Sequence, residues 1–314
     1  MTTPQHKIGS GFGAPSTADE VLAGIDLTGR TAIVTGGYSG IGIETTRALV
    51  GAGAHVVVPA RRVEQARAEV GDIAEVDELD LGDPDSVRAF AERFLATGRT
   101  IDIMIDSAGI MACPHTLVGP GWEAQFATNH LGHFALVARL WPRLVTGGGA
   151  RVVSVSSAGH RRSDIRWDDL WFSRGYEKWA AYGQAKTANV LFAVELDRRG
   201  KDSGVRAFAL HPGGIQTPLQ RHLARAEMVE RGWIAEDGTP LFDFKTPQQG
   251  AATQVWAATS PQLAGMGGVY LEDCDVAEVA TGEDAPGVRP YAIDAAAARR
   301  LWALSAELTG VDLP

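Results

Sequence analysis

Residues 31–50 dictate a strand, a tight turn and a helix in immediate succession. The apolar, β-branched run at 31–34 leads into a turn with glycines at Gly36, Gly40 and Gly42, and a helical pattern follows. This arrangement places backbone N–H groups at a helix N-terminus, where they can hold a pyrophosphate. The spacing differs from G-x-G-x-x-G, so a glycine-rich connection without a ligand remains the alternative.

Apolar, β-rich runs alternate with helical patterns along most of the chain, which predicts a parallel sheet with helices on both faces. The predicted strands are 31–34, 55–59, 75–79, 101–106, 152–155, 205–210 and 269–271. The predicted helices are 42–52, 63–69, 84–96, 122–145, 179–199 and 295–308. We therefore expect an α/β fold: a single-domain, Rossmann-type three-layer sandwich over 30–314, with a mostly parallel, seven-stranded sheet, preceded by a polar N-terminal extension over 1–29.

Composition excludes several classes of protein. The formal net charge of −9 and the scattered arginines argue against nucleic-acid binding. Cys113 and Cys274 are the only cysteines and have no zinc spacing, so we expect no metal and a reducing compartment. Residues 1–29 contain no apolar run long enough for a signal peptide or a membrane span. We expect a cytoplasmic protein without a membrane anchor.

Tyr182 and Lys186 stand four residues apart on a predicted helix, so they share one face. A phenol titrates near pH ~10, and a neighbouring cation favours the phenolate and lowers the pKa toward neutral pH. An amphipathic helix can carry a tyrosine and a snorkelling lysine four residues apart by chance, so the pair alone is a weak signal.

Together, the glycine turn and Tyr182-x-x-x-Lys186 resemble the short-chain dehydrogenase/reductase family. The segments 129–134 (Asn-His-Leu-Gly-His-Phe) and 182–192 carry a finer likeness to its retinol dehydrogenase and WW-domain oxidoreductase branch. The resemblance spans residues 20–275. It implies an NAD(P)-dependent oxidoreductase that acts on CH–OH or C=O groups of a small molecule.

The end of the second strand bears on the choice between two dinucleotides. NAD-selective sites usually place Asp or Glu there, whereas this chain has Arg61 and Arg62, which suit a 2′-phosphate. We expect NADP(H) as the cofactor, with NAD(H) as the alternative. The two arginines could also be an ordinary solvated pair that binds no ligand. With the resemblance added, the predicted cofactor site comprises Gly36, Tyr38, Ser39, Gly40, Ile41, Gly42, Arg61, Arg62, Asp80, Leu81, Ser107, Ala108, Gly109, Tyr182, Lys186, Pro212, Ile215 and Thr217.

One position departs from the family pattern. Where the family usually shows Asn-Asn-Ala-Gly, this chain has Asp106-Ser107-Ala108-Gly109. We expect the amide hydrogen bonds to be lost there and the extra carboxylate to weaken cofactor affinity.

By resemblance, the catalytic residues are Asn129, Ser157, Tyr182 and Lys186, with Ser156 as an alternative to Ser157. Tyr182 would act as general acid or base, and Ser157 would donate a hydrogen bond to the same substrate oxygen. Lys186 would lower the phenol's pKa and hold the nicotinamide ribose. Asn129 would support the lysine through water.

The stretch between Ser157 and Tyr182 is longer than in typical family members. We expect segments 158–180 and 217–245 to cover a pocket for a hydrophobic ketone, aldehyde or secondary alcohol. Ordinary packing is an equal alternative for the aromatics of the first segment. These are Trp167, Trp171, Phe172, Tyr176 and Trp179.

Two other functions remain open at this point. One is a non-catalytic, dinucleotide-binding regulator. The other is a serine hydrolase that pairs Ser157 with His130, His133 or His160, although the chain has no G-x-S-x-G elbow. By resemblance, the helices that bear Asn129 and Tyr182 could form a homodimer or homotetramer, unless the insertion blocks that surface.

Overall fold

A computed structural model describes residues 3–282 and 285–314; residues 1–2 of the predicted extension lie outside the described residues. The strands are β1 Thr31–Thr35, β2 His55–Ala60, β3 Glu75–Glu78, β4 Ile103–Asp106, β5 Leu117–Val118, β6 Trp122–Glu123, β7 Ala150–Val155, β8 Val205–His211, β9 Val269–Glu272 and β10 Asp275–Val276. The main sheet has the order β10-β9-β8-β7-β4-β1-β2-β3, and β5 and β6 form a separate hairpin. The predicted α/β class and mostly parallel sheet are confirmed.

The main sheet has eight strands in the described chain, not seven. Strands β1–β4 and β7–β9 pair in parallel, and β10 adds an antiparallel edge to β9. The turn between β9 and β10 places Asp273 and Cys274 at positive φ. Strand β10 has only two residues, too few for a periodic pattern to reveal.

Helices cover both faces of the sheet. They are α1 Ala18–Leu22, α2 Gly40–Gly51, α3 Val63–Val70, α4 Pro84–Ala96, α5 Ala124–Phe126, α6 Gly132–Leu144, α7 Lys178–Gly200, α8 Arg225–Glu230, α9 Pro247–Thr259 and α10 Ala295–Thr309. No helix in the described part of the chain is both long and apolar enough to cross a membrane.

Alternate residues of the central strands supply two hydrophobic cores. Ile33 and Met104 pack with α4, α6 and α7 on one face, while Val34 and Ile105 pack with α2 and α9 on the other. Strands buried on both faces must be apolar throughout, which explains the continuous apolar runs in the sequence.

The predicted single helix over 122–145 is wrong. Its first two residues are strand β6, and Glu123 then caps α5 by accepting from Gln125 N and Phe126 N. A π-helical turn over Ala127–Leu131 separates α5 from α6. Such turns insert one extra residue into a helix, and the apolar periodicity does not reveal them.

The N-terminal extension is docked on the domain. Gln5 donates from Nε2 to the carbonyls of Tyr270 and Ala277 and accepts from Tyr270 N, at the β9–β10 edge. Helix α1 begins with a capping box between Thr17 and Glu20 and packs on α9.

Helix α10 lies across the outer faces of α6 and α7. The Trp302 ring stacks on Phe192 of α7 at 5.9 Å and meets Phe134 of α6 edge-on at 4.9 Å between centroids. Ala298 and Leu301 are buried beside it. The C-terminal helix is therefore part of the core rather than a surface appendage.

Candidate active site

One cavity of about 490 Å³ lies at the carboxyl ends of β1, β2, β4, β7 and β8. In open α/β sheets, this edge is where ligands bind. All predicted cofactor residues line the cavity: Gly36, Tyr38, Ser39, Gly40, Ile41, Gly42, Arg61, Arg62, Asp80, Leu81, Ser107, Ala108, Gly109, Tyr182, Lys186, Pro212, Ile215 and Thr217. Ser157 also lines it, whereas Asn129 does not.

The glycine turn has no space for a side chain at Gly36 or Gly42. Gly36 has φ 68°, and a Cβ there would lie 3.0 Å from Ala108 Cα. A Cβ on Gly42 would lie 2.2 Å from the Gly36 carbonyl oxygen. The turn therefore packs tightly against the end of β4 and presents bare backbone at the N-terminus of α2, an arrangement that fits a pyrophosphate.

Thr35 shapes the backbone after β4. Its hydroxyl accepts from Ser107 N at 2.9 Å and from Ala108 N at 3.0 Å, and it lies 2.9 Å from His133 Nε2. His133 Nδ1 lies 3.0 Å from the Asn129 carbonyl oxygen. A hydroxyl from the neighbouring strand thus holds the segment where the family pattern has two amides.

Asp106 is buried in the sheet and does not line the cavity. Its carboxyl group therefore does not face the cavity, and the expected weakening of cofactor affinity stays a prediction. Neither carboxyl oxygen has a hydrogen-bond partner among the described residues, and burial raises the pKa of Asp106 well above its usual range. Burial without a hydrogen-bond partner therefore favours the uncharged form of this carboxyl group.

Asn129 lies behind the cavity wall in the π-helical turn. Its Oδ1 accepts from Ile110 N and its Nδ2 donates to Ile110 O, both at 2.9 Å. A Cβ on Gly109 would lie 3.1 Å from Asn129 Oδ1 and 3.7 Å from Lys186 Nζ. The Asn129 amide and the Lys186 ammonium thus both lie beside Gly109, and Asn129 fixes the backbone of the next residue, Ile110.

The two adjacent serines have different environments. Ser156 is buried and donates from its hydroxyl to the Lys186 carbonyl at 2.7 Å. Ser157 caps the short 3₁₀ turn Ala158–Arg162 and accepts from Gly159 N at 3.0 Å. The Ser157 side chain is also close enough to Tyr182 to lower the pKa of the phenol. Of the two, Ser157 is therefore the one beside the phenol.

Tyr182 sits in the second turn of α7, which Glu177 caps by accepting from Trp179 N and Ala180 N. Burial raises the pKa of Tyr182 to about 12, and the hydrogen bond with Ser157 only partly opposes this. Because phenolate formation in a buried site costs desolvation energy, the sequence prediction of a lowered phenol pKa is wrong for this structure.

The Lys186 ammonium group is hydrogen-bonded to the backbone of β7. Its Nζ donates to the Val155 carbonyl at 2.8 Å and lies 5.7 Å from the centroid of the Tyr182 ring. Burial lowers the pKa of Lys186 to about 7. A lysine that is only partly charged near neutral pH exerts less pull on the phenol than a full cation would, which agrees with the raised tyrosine pKa.

None of the three candidate histidines is aimed at the Ser157 hydroxyl. His160 Nδ1 lies 2.7 Å from the Ser157 backbone oxygen, and its Nε2 accepts from Arg289 N at 3.1 Å. His130 Nε2 lies 2.8 Å from Ser305 Oγ, and His133 is held between Thr35 and the Asn129 carbonyl. The serine–histidine pair of a hydrolase is therefore not assembled.

Two arginines that follow β2 line the other side of the cavity. Arg61 Nη1 is 3.9 Å from Asp80 Oδ2, and both side chains are substantially exposed. Arg62 has no ion pair with any residue in the described ranges. Asp80 also accepts from Gly82 N at 2.9 Å. The charge that remains at this end fits an anionic ligand.

The opposite end of the cavity is apolar, and residues of both predicted covering segments line the cavity. Of the five aromatics in segment 158–180, only Trp179 lines the cavity; the others pack elsewhere. Segment 217–245 supplies the apolar Pro218, Leu219, Trp233, Phe242 and Phe244. It also supplies the polar Thr217, Gln220 and Arg221, and Arg221 lies near Arg61 and Arg62. Met111, after β4, completes the apolar wall.

In the part of the chain that the structure describes, no group of three or more His, Cys, Asp or Glu side chains is placed to hold a metal ion.

Comparison with known proteins agrees with this geometry. The family profile described as short chain dehydrogenase matches residues 30–228. A "probable oxidoreductase" of Streptomyces antibioticus is 46% identical, with 88% of this chain and 97% of that protein covered. Human retinol dehydrogenase 11 is 36% identical, with 92% and 88% covered.

A solved structure of an uncharacterized protein from Mycobacterium paratuberculosis superimposes with a TM-score of 0.73 at 34% identity, covering 96% of this chain and 99% of the other. Fold, sequence profile and relatives therefore agree. The chain belongs to the short-chain dehydrogenase/reductase family, whose members are oxidoreductases that bind a nicotinamide dinucleotide and act on CH–OH and C=O groups.

Proposed function

We propose that this enzyme interconverts a hydrophobic ketone or aldehyde and the corresponding alcohol with NADP(H), using Tyr182 as general acid and base. One observation carries the proposal: Tyr182, Ser157 and Lys186 line the same cavity as the glycine turn and the arginine pair. When bound, the nicotinamide donates or accepts the hydride.

The phenol is suited to proton donation in the reducing direction. With a pKa of about 12, Tyr182 is protonated at neutral pH and can give its proton to the carbonyl oxygen. Ser157 donates a hydrogen bond to that oxygen as negative charge develops on it. In oxidation, the phenolate of Tyr182 takes the alcohol proton. Lys186 would hold the nicotinamide ribose, and Asn129 keeps the neighbouring backbone in place.

The preference for NADP(H) is supported by Arg61 and Arg62. The fork of a guanidinium matches a phosphate through two parallel hydrogen bonds, whereas a ribose hydroxyl gains little from it. Arg62 has no ion pair among the described residues, so its charge is available for such a ligand.

The substrate class is supported by the apolar end of the cavity. Met111, Trp179, Leu219 and Trp233 belong to one hydrophobic cluster with Tyr182 itself. Desolvating polar sugar hydroxyls there would cost free energy, while an apolar ketone would gain it. We also infer a reducing compartment, the cytoplasm, because both cysteines are free.

The test has a binding arm and a turnover arm. NADPH and NADH are titrated by fluorescence, and oxidation of the reduced cofactor is then followed with a panel of hydrophobic ketones and aldehydes. Tyr182→Phe should lose turnover by about 10²-fold or more and keep its NADPH affinity, since the hydroxyl is removed and the ring stays. Tyr176→Phe, outside the cavity, is the matched control. Retained turnover in Tyr182→Phe would refute the mechanism.

A further inference from the structure

The segment after β8 lies directly against the glycine turn. A Cβ on Gly40 would lie 3.2 Å from Thr217 Cβ, so the backbone at Gly40 packs closely against the Thr217 side chain. Thr217 and Gln220 form a capping box that starts the 3₁₀ turn Pro218–His222. This capped turn sets the direction in which Arg221, its fourth residue, leaves the backbone.

Arg221 lines the same cavity as Arg61 and Arg62. Its Nη1 donates to the Pro218 carbonyl at 3.1 Å, and no carboxylate of residues 3–282 or 285–314 is within ion-pair distance. Partial burial, followed by the nearby charges of Arg61 and Arg62, lowers the pKa of Arg221; Tyr38 of the glycine turn is also close enough to affect it.

Three guanidinium groups at one end of a cavity repel one another unless an anion lies between them. Two of them come from the turn between β2 and α3. The third comes from a different part of the fold, the segment that forms the apolar wall of the substrate end. Phosphate is the anion that guanidinium groups match best in geometry.

We propose that Arg221 is a phosphate-binding residue of the cofactor site and ties segment 217–245 to the bound dinucleotide through either the 2′-phosphate or the pyrophosphate. This inference rests on the proposed function, because it takes the dinucleotide as the ligand.

Binding of a phosphate by Arg221 also affects the aromatic side chains at the apolar end of the cavity. Trp233 and Phe242 belong to the same segment as Arg221 and line the cavity, while Phe242 remains half exposed. A phosphate held by Arg221 restrains the start of the segment and, through it, the placement of these aromatic side chains. The dinucleotide thereby helps to complete the apolar pocket.

The first test is affinity. NADPH and NADH are titrated by fluorescence into wild type, Arg221→Gln and Arg221→Lys. Arg225→Gln is the matched control: it removes one charge from the same segment at a residue outside the cavity, whose Nη2 donates to the Glu236 carbonyl. Arg221→Gln should weaken binding about tenfold, the usual size for one hydrogen bond to a charged group. Arg221→Lys should recover only part of this, and Arg225→Gln should bind as wild type.

The pattern of losses identifies which phosphate is bound. Weaker NADPH binding with unchanged NADH binding assigns Arg221 to the 2′-phosphate, and equal losses assign it to the pyrophosphate. Unchanged affinities for both cofactors, or an equal loss in Arg225→Gln, would overturn the proposal. If the wild type binds neither cofactor, the proposed function itself fails, which is a distinct outcome.

The second test follows the segment itself. Chymotrypsin cleavage at the exposed Leu241 and Phe242 is timed with and without saturating NADPH. The wild type should be protected several-fold by NADPH, and Arg221→Gln should lose most of that protection even when saturated. Equal protection in both proteins would show that Arg221 does not link the segment to the cofactor.

Discussion

Replacing Asp106 by Asn should change how the stability of the protein depends on pH. The carboxyl is buried with no hydrogen-bond partner among residues 3–282 and 285–314, and burial raises its pKa well above the ordinary value of 3.8. Between those two pKa values the unfolded chain releases the proton while the folded chain keeps it. The folded state therefore binds more protons, and its stability falls as the pH rises.

The size of the effect follows from linkage. Each pH unit in that window removes about 1.4 kcal/mol from the free energy of unfolding. Even one pH unit of this dependence is a measurable share of a typical total of roughly 5–15 kcal/mol. Asn keeps the shape of the side chain but cannot ionise, so Asp106→Asn should lose this contribution to the pH dependence of the free energy of unfolding.

The assay is urea unfolding followed by tryptophan fluorescence at pH 5, 6, 7 and 8. The free energy of unfolding of Asp106→Asn minus that of wild type should increase steadily with pH. Asp72→Asn, at an exposed position, is the control for the loss of one carboxyl group. A difference for Asp106→Asn that stays flat across the series would refute the idea of a protonated buried acid.

Three further predictions concern the site. In pH–rate profiles, the rate of alcohol oxidation should rise by up to about tenfold per pH unit, because this direction needs the phenolate of Tyr182, whose pKa is about 12. The rate of carbonyl reduction should show no such rise. His160→Phe removes the ring nitrogens that bridge Ser157 O and Arg289 N; it should cost about 1–3 kcal/mol in urea unfolding and lower kcat while leaving NADPH affinity intact. Gly42→Ala drives a methyl group into the Gly36 carbonyl; it should cost roughly 1–3 kcal/mol and abolish NADPH binding, and unchanged fluorescence titrations would contradict the tight cradle.

The sequence predicted the parallel strands and the cofactor edge because both depend on local patterns. Strands buried on both faces leave continuous apolar runs, and the glycine turn needs residues without Cβ atoms. Helix α9 was missed, although Thr246, Pro247 and Gln249 form a start signal with a capping box.

Other features depend on tertiary environment and leave no local signal. Nothing in the Tyr182-x-x-x-Lys186 spacing reveals that burial raises the phenol's pKa and directs the ammonium to Val155. In the same way, the aromatics of segment 158–180 could be assigned to packing or to the pocket only once their neighbours were known.

The position of α10 has a consequence for self-association. Two copies of this chain could meet along α6 and α7 only if the apolar sides of those helices were free. Here Trp302 packs against Phe134 and Phe192 from within the same chain, and Leu301 is buried beside it. Because α10 occupies this space, we expect any dimer or tetramer to be built on α10 itself or on another surface.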